Sequence, residues 1–311
     1  MSLLGPTENA RKAEQLLLQQ ETLLALVDHM FESVYVLDAE GRWMYGRSCR
    51  TELASGTVRE MEEYISGIEP EHQSHVRQAL DLALKGKVPS TVEYRSVRDD
   101  GDVVWYEGRG FCIGGGEQAK ENTCIWAVKE ITERKLLEEE LVRMAFHDPL
   151  TELPNRRLFQ VQLNQSLAYA KRNRQLLAVL SLDIDDFKMI NDSFGHEIGD
   201  EFLRAFANRV KRCVREVDMF ARIGGDEFSI LLPKIESVDS IQLVTHRILS
   251  AIRKGWDIGS RTLQSTVSMG VAVFPADGSD ADTLLRNVDL AMYQVKAGGR
   301  DGCLFYNSQI G

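Results

Sequence analysis

The stretch Met219-Phe-Ala-Arg-Ile-Gly-Gly-Asp-Glu-Phe-Ser-Ile-Leu-Leu232 places two glycines between two apolar runs. Such runs have the composition of strands, and Gly224-Gly225 suits a tight hairpin turn with positive φ angles. A hairpin alone would need only the glycines. Asp226 and Glu227 follow them directly, so two carboxylates lie where bare backbone leaves room for a phosphate. This arrangement predicts a hairpin that holds a divalent cation and a phosphate.

A second carboxylate group lies upstream, after the apolar run 177–182. This run predicts a buried strand, and Asp183, Asp185 and Asp186 follow it immediately. Carboxylates at the end of a buried strand commonly serve a cation. A plain acidic loop would not explain why Lys188 and Asn191 come so soon afterwards.

The region from residue 148 onward alternates helical and strand patterns, which favours one α/β domain of about 160 residues. The predicted helices cover 155–173, 199–216, 239–254 and 280–297. The predicted strands are 177–182 and 265–273, with the hairpin over 219–232.

The N-terminal half has a different order and predicts a five-stranded antiparallel α+β unit over 29–131. The predicted elements are a helix within 1–28, a hairpin over 33–45, helical spacing over 60–87, and strands over 90–97, 103–113 and 123–131.

A charged segment over 132–147 connects the two halves. Leu137, Leu141 and Met144 recur in it at coiled-coil spacing, which predicts a linker helix that pairs two chains. An inert charged spacer is the alternative interpretation.

Composition limits the class of protein. The chain has 311 residues, 43% of them apolar, and a net charge of −10, which argues against a broad grip on nucleic acid. No apolar run is long enough for a membrane span, so a cytoplasmic protein is expected. Five widely spaced cysteines without a C-x-x-C pair predict reduced thiols.

The N-terminal unit resembles a PAS domain. The resemblance rests on Glu93-Tyr94-Arg95, Asp100-Gly101, Trp105 and the exit segment 130–135. Similar domains bind small ligands in the cup of the sheet or serve only as dimerisation modules. No cofactor signature is present, so the PAS ligand is unknown and this domain is expected to act as a sensor.

The C-terminal domain resembles the GGDEF family of diguanylate cyclases over its whole length. The motifs that carry the resemblance are Gly224-Gly225-Asp226-Glu227-Phe228, the segments 148–156 and 191–200, the Asp183 strand, and the segment 289–300. The family has a palm-like α/β fold similar to nucleotidyl cyclases. It condenses two GTP molecules into cyclic di-GMP, and the resemblance implies that this chain does so as a homodimer.

Carried over by position, the resemblance implies a role for each motif residue. Asp183, Asp226 and the Ile184 carbonyl would bind Mg²⁺ or Mn²⁺. Glu227 would act in catalysis with Asp183 and Asp226, either at the attacking 3′-hydroxyl or beside the metal. Asn191 and Asp200 would read the guanine. The remaining substrate-binding residues would be Phe187, Lys188, Gly225, Lys296 and Arg300.

Arg215 and Asp218 form an R-x-x-D motif that resembles the family's inhibitory site for cyclic di-GMP. An arginine from a later helix or from a partner chain would complete that site, and Arg247 is a candidate. Two other functions stay open: a catalytically inactive GGDEF receptor, and a chain that serves chiefly as a PAS ligand-binding dimerisation module.

Overall fold

The computed structural model describes residues 30–38, 40–48, 61–85, 90–98, 101–113, 123–259 and 261–306. The helix predicted within 1–28 and Cys49 lie outside the described residues. The chain divides into two compact units between Glu139 and Glu140. No helix in the described ranges is both long and apolar enough to cross a membrane.

The first unit is the predicted five-stranded antiparallel sheet with helices. Its strands pair in the order β2-β1-β5-β4-β3. Its elements are β1 (Ser33–Leu37), β2 (Trp43–Ser48), α1 (Met61–Ser66), α2 (Pro70–Leu84), β3 (Ser90–Val97), β4 (Val103–Ile113) and β5 (Thr123–Glu130).

The helical spacing over 60–87 forms two helices, because a proline interrupts it. Pro70 occupies the first turn of α2, where its missing N–H costs nothing. The preceding Glu69 takes an extended conformation with φ −54° and ψ 138°, as residues before proline prefer. The chain therefore leaves α1 before it enters α2.

Aromatic side chains fill the inner face of this first sheet. The Trp126 indole N–H donates to the Tyr64 hydroxyl at 3.1 Å, and the Tyr64 and Tyr94 hydroxyls hydrogen-bond to each other. A Cβ at Gly108 would come within 2.2 Å of the Trp126 ring, so glycine lets the indole lie against β4. Burial raises the pKa of both phenols well above the ordinary value.

The predicted linker helix is α3 (Thr132–Phe146), which has no buried residue. In its first turns, Lys135 Nζ lies 2.5 Å from Glu93 Oε2 of β3. Five apolar side chains of the helix are at least half exposed: Leu136, Leu137, Leu141, Val142 and Met144.

The second unit is an α/β domain around a five-stranded sheet in the order β12-β11-β6-β8-β7. Only the β11–β12 pair is parallel among these described strands. Its elements are α4 (Arg156–Asn173), β6 (Leu176–Ile184), α5 (Phe187–Phe194), α6 (His196–Lys211), β7 (Met219–Gly224), β8 (Glu227–Ile235), α7 (Val238–Ile252), β9 (Trp256–Ile258), β10 (Arg261–Leu263), β11 (Val267–Phe274), α8 (Ala281–Ala297) and β12 (Gly302–Phe305).

Strand β6 lies in the middle of this sheet and is buried from Leu177 to Ile184. A strand covered on both faces reads as a continuous apolar run, which is why its sequence does not alternate. Leu180 and Leu182 join the core beneath α6 and α7, while Leu177 and Val179 join the core beneath α4 and α8.

Several predicted boundaries in this unit were wrong. Helix α6 begins at His196 and ends at Lys211, whereas 199–216 was predicted, because Gly199 packs inside the helix and does not start it. Strand β6 extends through Asp183 and Ile184. The sequence reading missed the short helix α5, the β9–β10 hairpin and the edge strand β12.

Candidate active site

Three carboxylates meet at one edge of the second sheet. Asp183, near the end of β6, lies directly opposite Glu227, the first residue of β8. Asp226 precedes it in the hairpin turn, and its carbonyl accepts a hydrogen bond from the Ile184 N–H at 3.3 Å. Antiparallel pairing of β6 with β8 therefore brings together two motifs that are more than 40 residues apart in the chain.

The ammonium group of one lysine lies among these three carboxylates. Lys296, on the last turn of α8, places Nζ 2.7 Å from Asp183 Oδ2. Asp183 is only 7% exposed. Burial raises the pKa of Asp183, and the neighbouring charges of Asp226 and Glu227 raise it further, while Lys296 opposes the shift. The site thus has more negative charge than this lysine neutralises.

The donor set fits a hard divalent cation. Carboxylate and carbonyl oxygens are the ligands that Mg²⁺ and Mn²⁺ prefer, and two carboxylates with a backbone carbonyl make such a set. Asp183, Asp226 and the Ile184 carbonyl would hold the ion. Its charge would relieve the same repulsion that raises the pKa of Asp183.

The glycine turn is open on its outer side. Gly225 has φ +51°, and no described atom lies within 4 Å of a Cβ placed on Gly224 or Gly225. Side chains at these two positions would occupy space that is free for a ligand. The left-handed φ also favours glycine at the second position.

An arginine braces the turn from behind. Arg222 donates from Nε and Nη2 to the Gly225 carbonyl at 2.9 and 2.7 Å, and from Nη1 to Asp148 Oδ1 at 2.9 Å. Burial alone would raise the pKa of Asp148. Hydrogen bonds from Thr151 and Arg222 outweigh this effect and hold the pKa below its usual value.

The predicted guanine-reading residues are neighbours across two helices. A Cβ at Gly199 would lie 1.9 Å from Asn191 Oδ1, so the Asn191 amide rests on the α6 backbone immediately before Asp200. Asp200 itself is exposed. Close packing of α5 on α6, permitted by one glycine, therefore brings the Asn191 side chain against the backbone next to Asp200.

The α5 residues predicted to bind substrate have different surroundings. Phe187 is 9% exposed, and its ring packs 6.2 Å from that of Phe202, so this side chain belongs to the core. Only its backbone remains for a ligand. Lys188, the next residue, is exposed at the start of the helix.

Arg300 lies in a loop with an unusual backbone. Gly299, Arg300 and Asp301 have φ angles of 112°, 66° and 45° in succession. Left-handed conformations in residues other than glycine cost about 1–3 kcal/mol each and persist only where surrounding contacts fix them. Arg300 Nε lies 3.7 Å from Asp186 Oδ1, which directs the guanidinium toward the start of α5.

Asp185 helps to fix the backbone of this loop. It is 5% exposed and accepts hydrogen bonds from Ser268 Oγ and Thr266 Oγ1, both at 2.6 Å, and from the Asp301 N–H at 3.1 Å. Arg253 adds a hydrogen bond from Nε to Asp301 Oδ1 at 3.0 Å. Asp185 thus differs from Asp183, although both lie near the end of β6. Hydrogen-bond donors within the domain occupy the oxygens of Asp185.

The R-x-x-D motif lies at the opposite end of the β7–β8 hairpin from the glycine turn. The Arg215 N–H donates to Asp218 Oδ2 at 2.8 Å, which fixes a turn just before β7. A small pocket there is lined by both residues together with Ser240 and Val244 of α7. Arg247, one turn further along α7, donates from Nε to the Cys213 carbonyl at 2.8 Å.

A groove of about 570 Å³ opens next to the carboxylates on the α4 and α8 face of the sheet. Glu227 and Lys296 are among the residues that line it. Ser181 also lines it and donates from Oγ to Asp289 Oδ1 at 3.2 Å. Concave space therefore adjoins Glu227 on the side away from Asn191 and Asp200.

Sequence reasoning assigned no role to Arg222, Asp148 or Arg253, and it grouped Asp185 with Asp183 as a carboxylate for a cation. Arg222 carried a usable signal, since a charged residue interrupts an otherwise apolar strand two positions before the glycines. Arg253 carried none, because its partner Asp301 lies 48 residues away.

Family models match both units of the chain. The model described as "Diguanylate cyclase, GGDEF domain" matches residues 145–302, just over half of the chain, and the model described as "PAS fold" matches residues 44–126. The chain therefore belongs to the GGDEF family and carries a PAS domain before its GGDEF domain.

Individual proteins show the same likeness. The bifunctional diguanylate cyclase/cyclic di-GMP phosphodiesterase MucR of Pseudomonas aeruginosa is 39% identical over 171 residues, covering 55% of this chain and 25% of MucR. The solved structure of the GGDEF domain of TpbB from the same species has a TM-score of 0.52 at 34% identity, covering 53% of this chain and 96% of that one.

A third relative contains a coiled coil as well as a GGDEF domain. The structure of DgcB from Caulobacter crescentus, solved in complex with c-di-GMP, has a TM-score of 0.51 at 28% identity. It covers 56% of this chain and 93% of the DgcB chain. By contrast, the present chain spans only 22–37% of the first three full-length curated relatives that it matches.

Proposed function

We propose that this protein is a diguanylate cyclase that joins two GTP molecules into cyclic di-GMP and releases pyrophosphate. The observation that carries the proposal is the meeting of Asp183, Asp226 and Glu227 at one sheet edge, with Lys296 Nζ 2.7 Å from Asp183. Excess negative charge at an open glycine turn is suited to a metal–triphosphate complex.

The chemistry is an in-line attack by the 3′-oxygen of one GTP on the α-phosphorus of the other. Mg²⁺ or Mn²⁺ held by Asp183 and Asp226 would neutralise charge on the phosphate oxygens. Glu227 is exposed beside these two carboxylates and would accept the proton of the attacking hydroxyl. Lys188, Lys296 and Arg300 contribute cations for the phosphates.

Base recognition follows from the chemistry of Asn191 and Asp200. A carboxylate accepts from the N1–H and N2–H₂ groups of guanine, whereas adenine offers no such pair of donors on this edge. The Asn191 amide, held against Gly199, is a further polar contact for the base. GTP is therefore the proposed nucleotide.

Catalysis would require two copies of the chain. Each domain has one Asn191–Asp200 pair, so each holds one GTP, and two domains must face each other for a 3′-oxygen to reach the other α-phosphorus. The groove beside Glu227 leaves that side of the carboxylates open. The exposed apolar stripe of α3, including Leu137, Leu141 and Met144, is suited to coiled-coil pairing of the two chains.

Regulation is proposed at two places. The PAS domain would respond to a signal and alter how the paired α3 helices present the catalytic domains. Cyclic di-GMP would bind Arg215 and Asp218, with Arg247 as a third contact, and inhibit the enzyme. The DgcB complex supports product binding to a domain of this family.

A receptor without turnover is the second candidate function. It is disfavoured because Asp183, Asp226 and Glu227 are all present and adjacent. A role as PAS dimerisation module alone would leave this carboxylate group without a purpose.

The test is turnover. Purified protein is incubated with GTP and Mg²⁺ or Mn²⁺, and nucleotides are separated by chromatography, beside Glu227→Gln and the exposed control Asp282→Asn. Cyclic di-GMP from the unmutated protein and Asp282→Asn, with a loss of about a thousand-fold in Glu227→Gln, would support the proposal. Absence of product with either metal, after removal of bound nucleotide, would favour the receptor.

A further inference from the structure

Two cysteines of the first unit face each other across neighbouring strands. Cys112 of β4 is directly opposite Cys124 of β5 in an antiparallel register that runs without a shift. Residues directly opposite each other project on the same face of a sheet. Cys124 is 1% exposed and Cys112 is half-buried.

The type of pair follows from the hydrogen bonding of the strands. Just beyond one end of the β4–β5 ladder, the Ile131 N–H donates to the Trp105 carbonyl at 2.8 Å. These two residues are therefore a hydrogen-bonded pair. Hydrogen-bonded and non-hydrogen-bonded pairs alternate along an antiparallel ladder. Cys112 and Cys124 are seven residue pairs further along the ladder. Because seven is an odd number, they form a non-hydrogen-bonded pair.

This geometry suits a disulfide. In non-hydrogen-bonded pairs the Cα atoms are about 4.5 Å apart. Disulfides span Cα separations of roughly 4.4–6.8 Å. The two sulfurs can therefore join without movement of the strands.

The two thiols differ in accessibility. Burial, together with the neighbouring Cys112, raises the pKa of the Cys124 thiol to about 11, so Cys124 stays protonated at neutral pH. Cys112 is the more exposed of the two. An oxidant from solvent would therefore meet Cys112 first.

We propose that Cys112 and Cys124 form a redox modification site that a hydroperoxide converts into a cross-strand disulfide. The Cys112 thiolate attacks the O–O bond, gains one oxygen as a sulfenic acid, and releases the other as water or an alcohol. The Cys124 sulfur then attacks the Cys112 sulfur and displaces that oxygen, which leaves as water with the Cys124 proton. Two thiols and one peroxide thus give one disulfide.

Two other cysteines serve as internal controls. Cys303 on β12 lies opposite Met269, and the Cys213 sulfur lies 3.5 Å from the Arg209 carbonyl. Neither is placed opposite another cysteine in the strands that the structure describes.

The test uses the whole chain and mass spectrometry. Reduced native protein is treated with hydrogen peroxide, unfolded in the presence of a maleimide, and digested with trypsin. Cleavage after Arg109, Lys120 and Lys129 puts Cys112 and Cys124 on separate peptides, 110–120 and 121–129. The expected product is this peptide pair joined and two hydrogens lighter, with Cys213 and Cys303 labelled by the maleimide.

A Cys124→Ser variant tests the order of events. Its Cys112 should accumulate as a sulfenic acid that a 1,3-dione probe captures, with thermal unfolding used to verify that the variant is folded. Recovery of both wild-type peptides as maleimide adducts or over-oxidised acids, without the joined pair, would overturn the proposal. Joining of Cys112 to a different cysteine would overturn it as well.

Discussion

The two five-stranded sheets differ in how their polar groups are paired. On the inner face of the PAS sheet, the Trp126 N–H and the Tyr64 and Tyr94 hydroxyls bond to one another. At the edge of the GGDEF sheet, Asp183 and its neighbouring carboxylates have Lys296 as their close cation. A network whose members satisfy each other stabilises a fold, whereas an excess of like charge marks a place where a ligand completes the site.

Among residues that support the site without contacting a ligand, the largest effect is expected from Arg222→Gln, which removes the hydrogen bonds behind the glycine turn. The variant loses the charged hydrogen bonds to Asp148 and to the Gly225 carbonyl, so Asp226 and Glu227 lose their fixed position. We expect cyclic di-GMP formation to fall by about a hundred-fold, since small misplacements in an active site have costs of this order. Initial rates by chromatography measure it.

Arg286→Gln is the matched control for Arg222→Gln, because Arg286 is an exposed arginine that lines the groove and the change removes a similar charge. A rate unchanged in Arg222→Gln would contradict the view that the turn needs this support.

Gly199→Ala tests the position of Asn191, one of the two residues proposed to bind the guanine base. The added Cβ would lie 1.9 Å from Asn191 Oδ1, so the amide must leave its present position against α6. The KM for GTP should rise about ten-fold, because one polar contact to the base is lost. Gly67→Ala is the control, since its Cβ would meet only ordinary contacts at 3.6 Å or more. Equal KM values in the two variants would contradict this placement.

The Asp183 strand and the glycine turn show how much of the site could be predicted from the sequence. The apolar run before Asp183 predicted a buried strand, and the glycine turn predicted a hairpin that delivers Asp226 and Glu227. Both inferences depend on local patterns, and both are confirmed by the strands β6, β7 and β8. The family motifs added Asn191 and Asp200.

The remaining features depend on contacts that are distant in the chain. The Arg253–Asp301 pair joins residues 48 positions apart, and nothing local marks either residue. Asp185 looked like a third carboxylate of the site, but Thr266, Ser268 and Asp301 occupy its oxygens. Helix α5 was missed because it is only eight residues long and begins after a left-handed Asp186.

A smaller effect is expected from pH on the Asp148–Arg222 pair. The pKa of Asp148 is below its ordinary value of 3.8 in the folded protein. A lowered pKa stabilises the fold above the unfolded pKa, and this stabilisation is lost as the pH falls through the folded value. After allowance for solvent screening, the contribution should be about 1 kcal/mol.

Urea unfolding of the wild type and Asp148→Asn, from pH 7 to pH 3, measures this difference. The gap in unfolding free energy should narrow below about pH 5 as the Asp148 carboxylate begins to take up protons. A gap that widens on acidification would have the wrong sign for this account.

A change in stability of similar size, without an effect on the active site, is expected in the PAS sheet. Tyr94→Phe removes one hydroxyl from the aromatic network but leaves the Tyr64–Trp126 hydrogen bond. The free energy of unfolding of the PAS unit should fall by about 1 kcal/mol, as for a typical buried hydrogen bond. Urea titration followed by tryptophan fluorescence measures it, with Tyr169→Phe on the exposed surface of α4 as control. An unchanged midpoint would show that the network adds no stability.

The most direct test compares Asp183→Asn with Asp185→Asn, the same change two residues apart. Because burial raises the pKa of Asp183, its neutral replacement should leave the metal-free fold as stable or more so, while cyclic di-GMP formation falls about a thousand-fold. Asp185→Asn should lower stability by about 1–3 kcal/mol and retain most turnover at temperatures where it is folded. Equal losses of turnover, or an active Asp183→Asn variant, would contradict the account.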